Sequence, residues 1–198
     1  MIIRNGIFGP GSNYESRYIP DYAHLAEIVG ALRLMGYRIV VTAGSFDILH
    51  LDHIYYLEEA RSYGDILIVG VDSDEKVKKR KGPDRPIVPQ DERVRMLAHL
   101  RHVDIITLKE VAHPKWELIK AARPDILIAS EGTYTPEQIE QLGEFCGEVV
   151  VLQRKSTSST TGRIRLMLIN FSDRVAVGVK ELLEAMVRGD NNKGKDTS

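Results

Sequence analysis

Five short apolar runs that alternate with helical segments constrain the fold of this chain more than any other feature. Each run is rich in β-branched residues and is apolar at successive positions, which is typical of strands buried on both faces. Strands that alternate with helices predict a parallel sheet with right-handed crossovers. The predicted strands are residues 39–41, 66–71, 103–108, 126–129 and 149–152.

Helical segments are predicted between these strands and before the first of them. From Asp21 onward, apolar residues recur at helical spacing as far as Met35, and Gly36 follows where a helix C-cap belongs. The fold class is therefore α/β: a Rossmann-like, doubly wound, five-stranded parallel sheet with N-terminal and C-terminal helical extensions. The later predicted helices are residues 51–63, 75–81, 91–101, 114–122 and 136–145.

The predicted organisation has one main domain with a shorter segment on each side. Residues 1–20 are expected to form an N-terminal arm, and residues 21–165 form the domain that holds the sheet. Residues 166–189 continue a helical pattern as a C-terminal extension, and the polar residues 190–198 are predicted to be a disordered tail.

Charge and cysteine content exclude several classes of protein. The 198 residues carry a net charge of −1, which gives no reason to expect a nucleic-acid or membrane partner. Cys146 is the only cysteine, so no disulfide can form within the chain, and we predict a buried, inert thiol. The first residues lack a secretory apolar segment. We therefore expect a cytoplasmic protein.

The turn after the first strand is the strongest functional signal. Gly44 and Ser45 lie between strand and helix, where backbone N–H groups and the helix dipole favour an anion. His50 and His53, three residues apart, share a face if both are helical, and imidazole titrates near neutral pH. These residues indicate either phosphate chemistry or simple capping and packing at the helix start, and spacing alone favours neither.

Basic residues gather in the segment 77–86, which is interrupted by Gly82 and Pro83. Lys81 and Arg85 on that turn suit a polyphosphate, although the lysines also fit a solvated helix face. Non-specific nucleic-acid contact is a weaker alternative, because no aromatic residues are interleaved for base stacking.

Two further segments carry candidate residues. Pro89 begins a predicted helix with Arg93 one turn inside, where a surface position is the plain alternative. The hydroxyls Ser159, Thr160 and Thr161 precede another predicted helix, so they suit either helix capping or phosphate binding. Arg163 in the same segment suits a bidentate phosphate contact.

The order of these motifs resembles the cytidylyltransferase-like nucleotidyltransferases, whose mark is His-x-Gly-His. GSFDILHLDH, KGPDRPI, LRHVD and SSTTGRIR lie in the family's order and approximate spacing, and the similarity covers about residues 22–165. The chain most resembles the heptose 1-phosphate adenylyltransferase branch, and glycerol 3-phosphate and ethanolamine-phosphate cytidylyltransferases come next. Aminoacyl-tRNA synthetase-like adenylate-forming domains share the histidine motif and are a distant alternative.

The resemblance implies a nucleotidyltransferase that joins an NTP to a phosphorylated sugar or polyol and releases pyrophosphate. ATP is favoured over CTP on branch resemblance alone. Mg²⁺ is the implied cofactor, no nucleic acid or membrane is an implied partner, and a homodimer is expected. The implied catalytic residues are His50, His53 and Lys81, and the implied nucleotide-binding residues are Gly44, Ser45, Phe46, Asp47, Arg85, Ser159, Thr160, Thr161 and Arg163.

The chain departs from the family pattern at two places. Asp52 stands where the family has glycine, and its charge either stabilises positive charge on the flanking imidazoles or weakens nucleotide binding. In the second case the chain is a nucleotide-binding module or regulator with impaired chemistry. The segment 129–134 reads ASEGTY in place of the heptose enzymes' lysine-glycine-glycine-aspartate-tyrosine. The candidate substrate-binding residues are Arg93, Glu131 and Tyr134.

Overall fold

A five-stranded parallel sheet forms the centre of the protein. The computed structural model describes residues 13–153 and the helical residues 167–169, 171–172, 175–177 and 179–180. The strand order is β3-β2-β1-β4-β5, and every neighbouring pair is parallel. The strands are β1 (Ile39–Gly44), β2 (Ile66–Asp72), β3 (Ile105–Lys109), β4 (Ile126–Ser130) and β5 (Glu148–Leu152).

Helices connect the strands and cover both faces of the sheet. In β1, Val40 packs into one apolar cluster, whereas Ile39 and Val41 pack into another on the opposite face. The predicted doubly wound α/β fold is thus confirmed. The helices are α1 (Tyr14–Arg17), α2 (Tyr22–Leu34), α3 (Leu51–Arg61), α4 (Asp74–Lys81), α5 (Gln90–Ala98), α6 (Glu117–Ala122) and α7 (Pro136–Leu142).

The strand order locates the place where a ligand is expected. From β1 the chain builds outward through β2 to β3, and then returns to the other side of β1 for β4 and β5. In doubly wound sheets, ligands bind beyond the carboxyl ends of the strands at this change of direction. The turn that follows β1 lies at that position.

Several predicted elements differ from the structure by up to three residues at their ends, and α6 and β5 show the clearest differences. Helix α6 begins at Glu117 and not at residue 114, because Trp116 has a left-handed backbone with φ 64°. Strand β5, predicted to be buried on both faces, lies at the sheet edge, and Val151 is 45% exposed. Uniform apolar character did not distinguish this edge strand from the central ones.

The predicted N-terminal arm contains ordered structure next to β3. Asn13 and Ser16 form a capping box at α1, and Tyr18 then makes a parallel bridge with Ile106. Arg17 Nη1 donates to the carbonyl oxygens of Ala98 and Val103, at 2.9 and 3.0 Å. The chain itself therefore covers part of this sheet edge.

The chain divides into two compact units, residues 1–156 and 157–198. The sheet and helices α1–α7 lie in the first unit. In the second unit, all the described residues are helical. None of the helices within the described part of the chain is long and apolar enough to cross a membrane.

Candidate active site

The two histidines meet at the start of α3. His50 is the N-cap residue and has an extended backbone, whereas His53 lies in the first turn of the helix. Their ring centroids are 4.0 Å apart, and the ring of Phe46 lies 5.4 Å from that of His53. The rings therefore share one face, as the spacing predicted, although His50 precedes the helix.

Phe46 shapes the turn that leads to these histidines. It is 4% exposed and has a left-handed backbone with φ 45°. A Cβ atom at Gly44 would lie 3.1 Å from the Phe46 ring, so the strand end requires a glycine or a shifted ring. The aromatic residue thus serves the shape of the turn, and its implied contact with a nucleotide stays a prediction.

His53 is held in its neutral form. Burial lowers the pKa of His53 to about 4; the neighbouring His50 and Lys81 act in the same direction, and Asp52 opposes them. Its Nδ1 atom is buried and has no hydrogen-bond partner among the described residues. A neutral ring has one N–H donor, so His53 can donate a single hydrogen bond to a phosphate oxygen.

Asp52 brings a negative charge to this pair of rings. Its Oδ2 atom lies 3.4 Å from Nδ1 of His50, whose side chain is 7% exposed. A carboxylate in the first turn of a helix is also favoured by the helix dipole. Asp52 therefore contacts the first histidine directly, and the positive end of the helix dipole partly compensates its charge.

Asp47 fixes the loop that carries the basic residues. Its carboxylate accepts hydrogen bonds from Arg85 Nη1 at 2.8 Å and from the N–H groups of Ile87 and Val88, at 2.7 and 3.0 Å. Burial would raise the pKa of Asp47, but the bonds from Val88, Arg85 and Ile87 outweigh it and lower that pKa. Arg85 is thus brought to the β1 turn through a buried carboxylate.

Lys81 also reaches the β1 turn. It ends α4, and its Nζ donates to Ser45 Oγ at 2.9 Å. Burial lowers the pKa of Lys81, and the nearby Arg80 lowers it further. The structure therefore brings together the predicted residues of the two motifs that are 36 residues apart in the chain.

Arg93 is completely buried, so its predicted alternative as a surface charge is wrong. Its guanidinium donates to the carbonyl oxygens of Ser45, Asp72 and Val88 and to the carboxylate of Asp74. These bonds direct the side chain into the protein and not toward an open substrate surface. Spacing carried a signal for this: Arg93 lies four residues before buried Leu97, on the core face of α5.

Sequence reasoning missed a polar group between β1 and β4. The Tyr56 hydroxyl lies 2.7 Å from Thr42 Oγ1, and the Thr42 hydroxyl donates to the Ile128 carbonyl oxygen at 3.1 Å. Burial raises the pKa of Tyr56 to about 12. The predicted first strand stopped at residue 41, so no role was predicted for Thr42, whose hydroxyl partner is supplied by α3.

The other predicted residues lie in different places. Tyr134 is half-buried and packs against the core, and burial raises its pKa to about 12. Glu131 is exposed, and its backbone N–H donates to the Leu152 carbonyl oxygen. The predicted phosphate-binding residues Ser159, Thr160, Thr161 and Arg163 lie outside the described residues.

The chain matches the cytidylyltransferase-like family model over residues 41–182. This range holds the histidine turn, the basic loop and the buried arginine. The chain belongs to the cytidylyltransferase-like family. Membership of this family indicates a nucleotidyltransferase, and the resemblance seen in the sequence motifs is confirmed.

Sequence alignments with two relatives extend over most of this chain. It is 40% identical over 150 residues to the bifunctional protein HldE of Aliarcobacter butzleri and 41% identical over 150 residues to that of Nitratiruptor sp.. Each alignment covers 75% of this chain, and 31% and 32% of the respective relative. The chain thus matches about a third of the length of these relatives.

Two solved structures share the fold. A lipopolysaccharide core biosynthesis protein from Thermoplasma volcanium has a TM-score of 0.55 and 26% identity, over 61% of this chain and all of that one. A pantoate-beta-alanine ligase from Francisella tularensis has a TM-score of 0.53 and 16% identity, over 74% of this chain and 69% of that one. The second likeness supports the architecture alone.

Proposed function

We propose that the protein couples an NTP to a phosphorylated sugar or polyol, giving the nucleotide-activated product and pyrophosphate. The observation that carries this proposal is the pair of histidines whose ring centroids lie 4.0 Å apart, at the carboxyl end of β1 and beside the Lys81–Ser45 contact. Resemblance to the heptose 1-phosphate branch favours ATP over CTP. We also propose that the protein is cytoplasmic and functions as a homodimer.

In the proposed reaction, an oxygen of the acceptor phosphate attacks the α-phosphorus of the NTP. A new P–O bond forms there, the bond from the α-phosphorus to the bridging oxygen breaks, and its electron pair leaves with pyrophosphate. Mg²⁺ bound to the nucleotide would screen charge on the phosphate oxygens. Among the described residues, no group of three or more metal-ligating side chains gathers to hold an ion by itself.

The protein's contribution is to stabilise the charge that develops on the phosphates. His53, neutral at pH 7, donates one hydrogen bond, and His50, whose ring centroid lies 4.0 Å from that of His53, brings a second imidazole to the same face. Lys81 adds a positive charge from the end of α4. Donors that are already in place before the reaction stabilise the transition state more than the ground state.

Pyrophosphate release tests this proposal. The protein is incubated with Mg²⁺, with each of ATP, CTP, GTP and UTP, and with a panel of sugar and polyol phosphates. We expect one pair of substrates to release pyrophosphate, with ATP as the nucleotide. If a folded protein that binds ATP released no pyrophosphate with any substrate of the panel, the proposed catalysis would be contradicted.

A second candidate function is suggested by Asp52, whose carboxylate stands at the position proposed for an anion. In this alternative the chain binds a nucleotide as a regulator, and repulsion between Asp52 and the phosphates impairs the chemistry. Asp52→Gly separates the two functions. A sharp rise in turnover would favour the impaired regulator, whereas an unchanged or lower rate favours the enzyme.

A further inference from the structure

Four charged side chains gather at the carboxyl ends of β2 and β3, away from the histidines. Asp72 ends β2 and is paired in register with Lys109, which ends β3. The Asp72 carboxylate lies 3.0 Å from Arg80 Nη2 and 3.3 Å from Lys109 Nζ. Lys76 is the fourth member, since its Nζ lies 3.5 Å from the carbonyl oxygen of Glu110, the residue after Lys109, and the charges of Lys109, Asp72 and Arg80 all act on it. We call these residues the Asp72 cluster.

The Asp72 cluster holds more positive charge than its single carboxylate balances. Lys76 forms no ion pair with any residue in the described part of the chain, and its Nζ only approaches the Glu110 carbonyl oxygen at 3.5 Å. Burial lowers the pKa of Lys76, and Lys109 lowers it further, despite the opposing effect of Asp72. Surplus positive charge in a half-buried place is unfavourable unless an anion joins it.

Donor groups remain available within the Asp72 cluster. Asp72 Oδ1 accepts no hydrogen bond from the described residues, although Lys109 Nζ is only 3.3 Å away. The contact is therefore an ion pair without hydrogen-bond geometry, and no other hydrogen bond of the Lys109 ammonium group is found among the described residues. The nearby carboxylate of Asp74 is bonded to Arg93, and Glu75 and Glu110 are exposed.

Packing sets the direction of the Lys109 side chain. A Cβ atom at Gly70 would lie 2.8 Å from Lys109 Cδ, so the absence of a side chain in β2 makes room for the stem of this lysine. The ammonium group lies at the end of a packed stem, and the Lys109 side chain is only 26% exposed. This position differs from that of a lysine on an open surface.

The Asp72 cluster borders the proposed nucleotide site. Strands in a sheet are about 4.8 Å apart, so the ends of β2 and β3 lie roughly one and two strand spacings from the end of β1. The charge of Asp72 acts to raise the pKa of Lys81, against the larger effect of burial, and it also acts to raise the pKa of Tyr134. Both side chains therefore lie close enough to Asp72 to interact with its charge. A small second substrate next to the nucleotide can therefore reach this edge.

We propose that Lys76 and Lys109 form a subsite for the phosphate of the second substrate. The inference rests on the proposed function, because it assigns the acceptor to this side of the cleft. Lysine ammonium groups bind phosphate oxygens through charge-assisted hydrogen bonds. Asp72 keeps the cations close together before the anion arrives. The bound phosphate then neutralises the charge of Lys76, which forms no ion pair with the described residues.

Matched lysine variants test the subsite. Lys76→Met and Lys109→Met remove one charge each with little change in length, and Lys79→Met is the control, since Lys79 is an exposed residue of the same helix α4. Binding of inorganic phosphate and of ATP is measured separately by calorimetry. We expect phosphate affinity to fall about tenfold in each subsite variant and to stay within about twofold in the control. ATP affinity should change by less than about twofold in all three, which also shows that they fold.

Three results would overturn the subsite: equal phosphate affinity in all the variants, an equal loss in the Lys79→Met control, or a loss confined to ATP. Pyrophosphate release separates this failure from failure of the proposed function. If the unaltered protein turns over and the subsite variants keep its KM for the acceptor, the subsite is wrong and the function stands. If no acceptor releases pyrophosphate but phosphate binding still requires both lysines, the function is wrong and the phosphate subsite stands.

Discussion

The carboxylate of Asp52 lies 3.4 Å from the Nδ1 atom of His50, in a helix turn where both histidine rings are largely covered. Two imidazolium rings whose centroids are 4.0 Å apart would repel each other, so the pair holds at most one proton in excess of neutrality at moderate pH. The carboxylate is next to His50, whereas burial keeps His53 neutral. Asp52 therefore contacts His50 directly and opposes the effect of burial on the pKa of His53.

Replacing Asp52 by asparagine tests this effect on His53. The carboxylate opposes the lowering of the His53 pKa by burial, so we expect the NMR titration of His53 in Asp52→Asn to move to lower pH than in the unaltered protein. A titration of His53 that stays in place or moves to higher pH would contradict this role of Asp52.

Burial of His53 should appear in the pH dependence of stability. Its pKa is about 4 in the folded protein and about 6.5 in the unfolded chain, so between these values the unfolded chain binds the extra proton. The stabilisation is complete above pH 6.5 and is lost as the pH falls toward 4, by about 3 kcal/mol. Urea unfolding at pH 7 and pH 4 should show this loss reduced in His53→Gln. Identical pH dependence in the two proteins would refute it.

Arg93 should contribute strongly to stability. Arg93→Met leaves the carbonyl oxygens of Ser45, Asp72 and Val88 without this donor and Asp74 without its ion pair. We expect the free energy of unfolding to fall by about 3 kcal/mol.

Arg95→Met on the same helix is the matched control for Arg93. The Arg95 guanidinium lies 4.2 Å from the Tyr14 ring centroid, and losing that contact should cost less than about 1 kcal/mol. Urea unfolding compares the two variants. Similar losses in both would show that the buried hydrogen bonds of Arg93 add little.

Charge stabilisation by His50 and Lys81 should appear in kcat. Removing one donor aimed at the transition state typically lowers the rate by about 10² to 10³, so we expect losses of this size in His50→Gln and Lys81→Met. Lys78→Met, an exposed lysine on the same helix as Lys81, should retain its rate within about twofold. Steady-state pyrophosphate release provides the measurement, and a rate in Lys81→Met equal to that of the control would remove Lys81 from the reaction.

The fold was predictable because buried parallel strands leave a simple signature. Residues such as Val40 and Val41 are apolar at successive positions since the two faces of β1 pack into different clusters. The exposure of Val151 was not predictable, because strand order depends on contacts between distant segments. The contact between the His50 and His53 rings was predictable from their spacing of three residues, because a single helical turn brings such residues to one face.

The partners of charged residues were the least predictable part of the site. Arginine is usually a surface residue, and only the folded chain brings the carbonyl oxygens of Ser45 and Asp72 to Arg93. The same holds for Asp47, whose partners lie about 40 residues further along the chain. Predicting such bonds requires the relative positions of loops, which depend on tertiary packing and not on local pattern.

The internal bonds of Arg93 also bear on how tightly a ligand can be held. Loops that become ordered only when a ligand arrives subtract their lost conformational entropy from the binding free energy. Here a single guanidinium joins the turn after β1, the end of β2 and the segment before α5 within the folded protein. The entropy of these three segments is already lost on folding, so more of each contact with a ligand can appear as affinity.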